Sequence, residues 1–391
     1  MNSIKIFNHL LHSILLLLIK SFMFFSNKLF GVNQNKAVFI SFYGKSYSDN
    51  PRAISEKLHE IQPNYKIIWL FNNPAEKKSL VPNYVKCIKR RSLAGYFHLA
   101  TAKVWVDNFP KSYSNYKSKE QIYIQTWHGD RGFKTVLYDS PFKEKNSKYI
   151  ESDICDLMLS GSDFCDRVYR SAFRYNGGIL KAGSPRCDIL INKDDELAAK
   201  IKKQLGIRQK CKVLLYAPTF RKKAAVSRNL QPLGNINLSD ILNLLEKKTK
   251  DEWICLVRAH SAVQGLSGIS ENEKIIDVTK YEDMNELLLV SDILITDYSS
   301  SAGDFALLRR PIFLYQEDRE EYLKHDRNFY FDLDQSPFWI ARSQRELEEM
   351  IENLDFQSAS KNCDQILEFY GTVETGQASR RVVEYILEKS R

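Results

Sequence analysis

Polar residues that can act on a phosphate group follow four short apolar runs in this sequence. The runs and the residues after them are YIQTW with His128 and Gly129, VLLYAP with Thr219 and Arg221, ICLV with Arg258 and His260, and ILIT with Asp297 and Ser299 to Ser301. Histidine can accept a proton, while arginine, hydroxyl groups and backbone amides can bind anionic oxygens. The set therefore points to acid–base chemistry at a phosphate.

The serines lie in the stretch ITDYSSSAGDFALL, residues 295–308. A strand is predicted to end there and a helix to begin, so free amides and the positive end of the helix dipole would face a bound anion. The residues predicted to bind donor phosphate are Thr296, Ser299, Ser300 and Ser301, with Asp297 and Asp304 in support. A serine that only caps the helix is the alternative. The chain has no GxxxxGK sequence of the phosphate-loop type.

His128 is predicted to be a general base at a strand end, a place where catalytic groups accumulate on a rigid scaffold. Gly129 permits a sharp turn after it, and Asp130 could orient the imidazole or raise its basicity. The alternative is a histidine that packs in the core without chemistry.

Arg258 and His260 would project to the same side of an extended chain. They could neutralise charge on a phosphoryl group or a leaving nucleotide, or Arg258 could form a salt bridge beside an incidental histidine. Arg221, which precedes two lysines, is predicted to clamp a phosphate or else to belong to a solvated basic loop.

The elements that must position these residues alternate between strand and helix. Strands are predicted at 37–43, 66–71, 103–107, 122–126, 213–217, 253–257, 274–277 and 293–296, and helices at 51–62, 92–102, 238–248, 285–290, 364–369 and 379–389. This alternation is typical of parallel sheets with helices on both faces, and 391 residues suggest two such α/β domains. We place the domains at 34–190 and 191–391, with the terminal helices bracing both. Ligands of such sheets bind beyond the carboxyl ends of the strands.

Residues 1–33 form a separate segment whose apolar residues recur at helical spacing. Its uninterrupted apolar core, residues 14–19, is much shorter than the roughly 20 residues that span a bilayer. We predict an amphipathic helix lying on the cytoplasmic face of the membrane, with its lysines on anionic lipid. A signal anchor and a helix packed on the protein itself are the alternatives, and a cleaved signal peptide fits less well.

The cysteines and the charge distribution argue against several classes of protein. The seven cysteines are scattered and form no CxxC pair, which argues against a zinc ribbon and a disulfide framework. Five lysines and no acidic residue precede Asp49, so residues 1–48 carry more than half of the net charge of +9. That distribution favours a membrane surface over a nucleic acid as partner, and no nucleic-acid-binding motif is present.

Taken in order, YIQTWHG, GSPRCD, LLYAPTFR, VRAH and ILITDYSSSAGDFALLRRPIFLY resemble the CDP-glycerol glycerophosphotransferase family of teichoic acid enzymes over roughly residues 36–380. The resemblance implies a GT-B fold, with two Rossmann-like domains facing one cleft, and peripheral attachment to the cytoplasmic side of the bacterial membrane. It also implies transfer of glycerol phosphate, or ribitol phosphate, from a CDP-activated donor to a lipid-linked saccharide, with release of CMP for wall or capsule synthesis. No cofactor and no metal are expected besides the donor substrate.

The resemblance implies that His128 is the base, that His260 is the second catalytic histidine, and that Ser299 to Ser301 hold the donor diphosphate. The sequence departs from the family pattern at Asp130 and Arg131 after WHG, at Ser261 after RAH, and at Gly303 before Asp304. The departures next to His128 concern the acceptor side of the predicted site.

Two other functions remain open at this point. A nucleotide-sugar glycosyltransferase would share the two-domain design, and a non-catalytic nucleotide-binding module on the membrane would use the serines without His128. The residues leave open the oligomeric state and the number of units transferred.

Overall fold

The structure is a computed structural model that describes residues 2–111, 116–142, 149–219, 236–259 and 273–390, with side chains from residue 11 onward except residue 12. Its framework is two parallel β-sheets, each covered by helices. His260 and Arg221 lie outside the described residues.

The N-terminal domain is built on seven parallel strands in the order β3-β2-β1-β4-β5-β6-β7. They are β1 (Asn33–Ile40), β2 (Lys66–Phe71), β3 (Val85–Lys89), β4 (Ala102–Asp107), β5 (Ile122–Gln125), β6 (Leu157–Leu159) and β7 (Gly178–Leu180). The strand order reverses between β1 and β4, which is where sheets of this kind bind ligands. The predicted strand at 37–43 ends earlier, because Phe42 and Tyr43 turn the chain with φ of 44° and 59°.

The C-terminal domain has six parallel strands in the order β10-β9-β8-β11-β12-β13. They are β8 (Lys212–Ala217), β9 (Trp253–Val257), β10 (Ile275–Asp277), β11 (Ile293–Thr296), β12 (Ile312–Tyr315) and β13 (Ile340–Ala341). Here the order reverses between β8 and β11, so the serines after β11 stand at the corresponding position of this sheet. The prediction of two parallel α/β domains is confirmed.

The helices pack on the faces of these sheets. In the N-terminal half they are α1 (Asn2–Phe30), α2 (Asp49–Ile61), α3 (Pro74–Lys77), α4 (Leu93–Thr101), α5 (Glu151–Ile154), α6 (Asp163–Ser171) and α7 (Asp188–Ile191). The others are α8 (Asp195–Gln204), α9 (Leu238–Thr249), α10 (Met284–Val290), α11 (Ser301–Phe305), α12 (Arg319–His325), α13 (Gln344–Glu352), α14 (Phe356–Tyr370) and α15 (Ala378–Lys389).

The last two helices belong to different parts of the molecule. Tyr370 of α14 packs with residues next to the C-terminal sheet, whereas Val382 and Ile386 of α15 are fully buried against Phe39 and its neighbours in the N-terminal sheet. The chain therefore crosses from one domain to the other and back again.

Helix α1 has two different faces. Met23 is buried against α4, and the Asn27 amide donates to the Ala100 carbonyl at 2.8 Å. The opposite face exposes a row of large apolar side chains, among them Leu11, Ile14, Leu15, Leu17, Leu18 and Phe25. Of the described helices, only α1 is long and apolar enough to cross a membrane, over Ser13–Phe30 with a mean hydropathy of 1.5. One face of its second half thus packs on the protein, while its apolar surface stays uncovered.

Candidate active site

A cleft of about 540 Å³ lies between the carboxyl ends of the two sheets. Its N-terminal wall consists of residues that follow β1, β4 and β5, namely Phe42, Tyr43, Phe109, Pro110, Trp127 and His128. Its C-terminal wall includes residues that follow β8 and β11, namely Thr219, Ser299 and Ser300. The structure therefore brings His128 and two of the predicted serines to one cleft, as expected for the carboxyl ends of parallel strands.

The imidazole of His128 has a defined orientation. Its Nδ1 lies 2.7 Å from the backbone oxygen of Asn108, the residue that follows β4. A carbonyl oxygen can only accept, so Nδ1 carries the hydrogen and Nε2 of the neutral ring has the lone pair. Asn108 is itself fixed, because its Oδ1 accepts from the Phe42 amide at 2.8 Å and its Nδ2 donates to the Ser41 hydroxyl at 3.3 Å.

Aromatic rings surround the histidine. Phe109 stacks on the imidazole with ring centres 5.0 Å apart. The ring centres of Phe42 and Trp127 lie 5.2 and 4.2 Å from that of the imidazole. Burial, together with the nearby charges of Arg186 and Lys134, lowers the pKa of His128 to about 4 despite the opposing effect of the Asn108 carbonyl. His128 is therefore neutral at pH 7, with Nε2 able to accept a proton.

The serine loop is held mainly by its own hydrogen bonds. Ser299 Oγ accepts from the Ser301 amide at 3.2 Å and from the Ser301 hydroxyl at 2.9 Å. The amides of Ala302 and Gly303 donate to the carbonyls of Ser299 and Ser300. These amides are therefore engaged within the turn, contrary to the expectation that they face an anion, and it is Ser299 and Ser300 that line the cleft.

Two predicted residues of this loop lie behind the cleft wall. The buried Thr296 hydroxyl donates to the Ala217 carbonyl at 2.6 Å, between β8 and β11, so the structure does not place it in the cleft. The carboxylate of Asp297 accepts from the Thr219 amide at 2.9 Å and also from the Tyr298 amide. Asp297 thereby fixes Thr219, which does line the cleft, next to the serines.

Asp130 does not orient His128. Its Oδ1 accepts from the Gly161 amide at 2.8 Å, and its Oδ2 pairs with Arg131 at 3.1 Å. Both oxygens of Asp130 are therefore engaged by partners other than the imidazole. Neither Asp130 nor Arg131 is among the cleft-lining residues.

Arg131 lies at the centre of a buried ion cluster between the domains. Its guanidinium is inaccessible to solvent and contacts Asp304 and Glu374, each at 2.7 Å, besides Asp130. Asp304 also accepts from Arg186 Nε at 2.9 Å. Asp304 thus supports the site from behind, by joining α11 to residues of the N-terminal half.

Gly303 permits this arrangement. A Cβ atom at this position would lie 2.4 Å from the Arg131 Cβ and 2.5 Å from the Arg131 carbonyl oxygen. Such distances exclude any side chain unless the backbone moves, so the two departures from the family pattern, Arg131 and Gly303, fit against each other.

Arg258 follows β9 but is not among the cleft-lining residues. Its Nη2 donates to the Tyr281 carbonyl at 3.1 Å, and its buried Nη1 has no hydrogen-bond partner within the described part of the chain. Burial lowers the pKa of Arg258, against the opposing charges of Asp283 and Glu282. Its role at the donor phosphates stays a prediction, as do those of Arg221 and His260.

Sequence reasoning missed several residues of the cleft. Phe109 lines the cleft and Asn108 orients His128 from beside it; both follow the predicted strand at 103–107, so their position after a strand is the signal that could have found them. Lys134 and Arg327 also line the cleft. They carry no strand-end signal, because tertiary contacts bring them together. Among the described residues, no three His, Cys, Asp or Glu side chains are grouped so as to hold a metal ion.

A family model described as CDP-Glycerol:Poly(glycerophosphate) glycerophosphotransferase matches residues 21–388. The chain belongs to this family. Two solved structures of the wall teichoic acid polymerase TagF superpose on it with TM-scores of 0.82 and 0.80, at 31% and 33% identity. The superposition on the first covers 100% of this chain and 98% of the TagF chain. The superposition on the second, which was soaked with CDPG, covers 92% of this chain and 90% of the TagF chain. The predicted GT-B fold is confirmed.

Curated relatives agree with this membership. A teichoic acid poly(glycerol phosphate) polymerase of Staphylococcus epidermidis is 33% identical over 91% of this chain but only 51% of its own length. The Bacillus spizizenii polymerase of the same name is 32% identical over 91% of this chain and 92% of its own length. A teichoic acid glycerol-phosphate transferase of Staphylococcus aureus is 31% identical over 91% of this chain and 94% of its own length. The chain thus spans about half of the longer relative and nearly all of the two shorter ones.

Proposed function

We propose that this protein transfers an alditol phosphate, with glycerol phosphate as the first choice, from a CDP-alditol to a hydroxyl of a lipid-linked saccharide and releases CMP. The observation that carries the proposal is the fixed orientation of His128. Its Nδ1 donates to Asn108, which leaves Nε2 as the acceptor, and its ring lines a cleft whose opposite wall bears Ser299 and Ser300.

The reaction needs few groups from the protein. The acceptor hydroxyl gives its proton to Nε2 of His128, and its oxygen bonds to the alditol-bearing phosphorus while the bond from that phosphorus to the CMP oxygen breaks. The electron pair leaves with CMP. Positioning and charge stabilisation account for most of the catalysis in such transfers.

The low pKa of His128 fits this role once a donor is bound. Burial keeps the ring neutral, so the base form is present before the reaction. The negative charges of a diphosphate beside the ring favour the protonated imidazolium and raise its pKa. The donor itself therefore strengthens the base that activates the acceptor.

The percentage sequence identities to the relatives favour glycerol phosphate over ribitol phosphate as the transferred group. The glycerol phosphate polymerases and transferase named above are 31–33% identical to this chain. A teichoic acid ribitol-phosphate primase and a poly(ribitol-phosphate) polymerase of Bacillus spizizenii are 28% and 27% identical. CDP-glycerol is therefore the donor to test first, and CDP-ribitol is the second.

The exposed apolar face of α1 supports action at a membrane surface. Its large side chains are uncovered, and Lys20 and Lys28 on the same helix can meet anionic lipid on the cytoplasmic side. A helix lying in the interface would bring the N-terminal wall of the cleft near a lipid-linked acceptor.

The test is mass analysis of products from the purified protein. It is offered CDP-glycerol, CDP-ribitol or a UDP-sugar with a short lipid-linked saccharide. We expect a product heavier by one or more glycerol phosphate units, formed with release of CMP. His128→Asn should abolish it, whereas His59→Asn, on α2 and outside the cleft, should not. Transfer of sugar from the UDP donor, or CDP-glycerol binding without turnover under every acceptor, would refute the proposal.

A further inference from the structure

A two-stranded ribbon joins the domains beside the cleft. Residues 132–136 run antiparallel to residues 327–331, with Lys134 paired to Phe329. The Thr135 amide donates to the Asn328 carbonyl, and the Tyr330 amide donates to the Phe133 carbonyl, both at 2.8 Å. This ribbon fixes a segment that follows His128 to a segment that follows α12.

The ribbon directs two cations into the cleft. Side chains alternate along an extended strand, so Lys134 faces away from its buried neighbours Phe133 and Thr135 and lines the cleft. Arg327 lines the same cleft, and its Nη1 contacts the Thr135 carbonyl at 3.5 Å. The neighbouring carboxylate of Asp326 also lines the cleft and limits the net positive charge there.

Lys134 lines the same cleft as the two walls of the site. Gly132, at the start of the ribbon, approaches the serine loop so closely that a Cβ there would be 3.3 Å from the Ser300 Cβ. On the other side, Lys134 and His128 line the same cleft, and the Lys134 charge is among those that lower the pKa of His128. A ligand that extends from Ser300 to His128 therefore occupies the cleft that Lys134 lines.

We propose that Lys134 and Arg327 bind the phosphoryl group that is transferred, which is the outer phosphate of the CDP-alditol. This assignment rests on the proposed function and names the residues that contact its reacting phosphate. The serine loop takes the inner phosphate, which leaves with CMP, and the ribbon cations take the outer one, which faces His128.

The chemistry favours cations at this position. Negative charge is spread over the equatorial oxygens of the transferred phosphoryl group as the bond to CMP loosens. Charge-assisted hydrogen bonds from an ammonium and a guanidinium are stronger than neutral ones, and in a partly desolvated cleft they stabilise that charge. Because the ribbon holds both cations before the substrate arrives, little energy is spent on orienting them.

Ligands with and without the outer phosphate test the assignment. The affinities of CMP and CDP are measured by calorimetry for wild type, Lys134→Met, Arg327→Gln and the charge-retaining Lys134→Arg. The control is Lys324→Met, which removes a lysine from the exposed surface of α12. We expect Lys134→Met and Arg327→Gln each to weaken CDP by about 10- to 100-fold, as for the loss of a charged contact of about 1.5–3 kcal/mol, and CMP by less than about 3-fold. Lys134→Arg and Lys324→Met should bind both ligands like wild type.

Turnover of CDP-glycerol by the same variants separates this inference from the proposed function. If wild type transfers glycerol phosphate while Lys134→Met binds CDP normally, the ribbon assignment is wrong and the function stands. Equal weakening of CMP and CDP would also overturn it, since the cations would then bind the leaving phosphate. If wild type binds neither ligand and transfers nothing, the proposed function itself fails.

Discussion

Replacement of Asp304 by asparagine tests whether the buried ion cluster stabilises the interface between the domains. Asp304 is 4% exposed, and its two oxygens accept from Arg131 at 2.7 Å and Arg186 at 2.9 Å. Burial alone would raise the pKa of this carboxyl, but the two guanidinium groups outweigh that effect and hold it below the ordinary value of 3.8. Asp304 is therefore charged at neutral pH, and asparagine removes the charge with little change of shape.

The expected magnitude follows from the contacts that remain. Arg131 keeps two carboxylate partners within 3.1 Å, whereas Arg186 keeps, among the described residues, only Asp49 at 3.8 Å. Loss of one partner from a buried ion pair costs about 3–5 kcal/mol, because the other charge stays buried without compensation. Since Arg131 retains close partners, we expect Asp304→Asn to lower the free energy of unfolding by about 3–5 kcal/mol and not by twice that amount.

Urea unfolding followed by tryptophan fluorescence measures this loss. The matched control is Asp364→Asn, which removes the carboxylate of an ion pair with Arg309 at 2.8 Å, where both side chains are about half exposed. That substitution should cost less than about 1 kcal/mol, as exposed ion pairs generally do.

The pH dependence gives a second check on the same variant. The folded-state pKa of Asp304 is depressed, so its stabilising effect is present above about pH 3.8 and is lost as the pH falls through the folded-state value. The deficit of Asp304→Asn should therefore shrink in strong acid. A deficit at neutral pH no larger than that of the control would refute the reasoning that the cluster stabilises the domain interface.

Three further predictions concern the base, the packing and the membrane. Proton NMR should show the His128 ring titrating near pH 4 in the free protein, and a midpoint near 6.5 would contradict its burial. Because the ring takes up its proton near pH 6.5 in the unfolded chain but only near pH 4 in the folded protein, His128 should lower the free energy of unfolding as the pH falls from about 6.5 to 4. Gly303→Ala should lower the free energy of unfolding by about 1–3 kcal/mol through its clash with Arg131, while Gly178→Ala, where a Cβ meets nothing closer than 3.6 Å, should cost much less; equal losses would exclude the steric explanation. Leu18→Glu on the exposed face of α1 should reduce co-sedimentation with anionic vesicles several-fold, and unchanged binding would rule that face out as the contact.

The sequence predicted the central strands well, because each is an unbroken apolar run. Strands predicted at 66–71, 253–257 and 293–296 have those bounds in the structure. One missed strand, β12, is an apolar run of four residues that a local pattern could have revealed. The other missed strands are short or lie near a sheet edge: β6 and β7 have three residues each, β13 has two, and β3 alternates lysines with apolar residues. Such segments become strands only because a neighbouring strand supplies their hydrogen bonds, which no local pattern reveals.

The meeting of His128 with the serine loop was predictable for a simple reason. Both follow parallel strands, and parallel strands direct their carboxyl ends to the same edge of a sheet. The ribbon of Lys134 and Arg327 was not predictable in this way, because its two strands are more than 190 residues apart and pair through only one bridge. Likewise, Asp130 accepts from the Gly161 amide, 31 residues along the chain, which its position next to His128 does not indicate.

Three of the four departures of this chain from the family pattern, Asp130, Arg131 and Gly303, have a common structural explanation, and the fourth, Ser261, lies outside the described residues. Arg131 occupies the space beside Gly303, where no Cβ fits, and its guanidinium pairs with Asp130, Asp304 and Glu374. These residues form one buried unit, in which loss of a carboxylate weakens the pairing of the buried guanidinium and a side chain at position 303 clashes with Arg131. The departures next to WHG therefore concern the packing of the two domains behind the cleft, since neither Asp130 nor Arg131 lines it. Under the proposed function, the acceptor would meet the aromatic wall around His128. Differences in acceptor among relatives should accordingly be sought at the residues that follow β1 and β4.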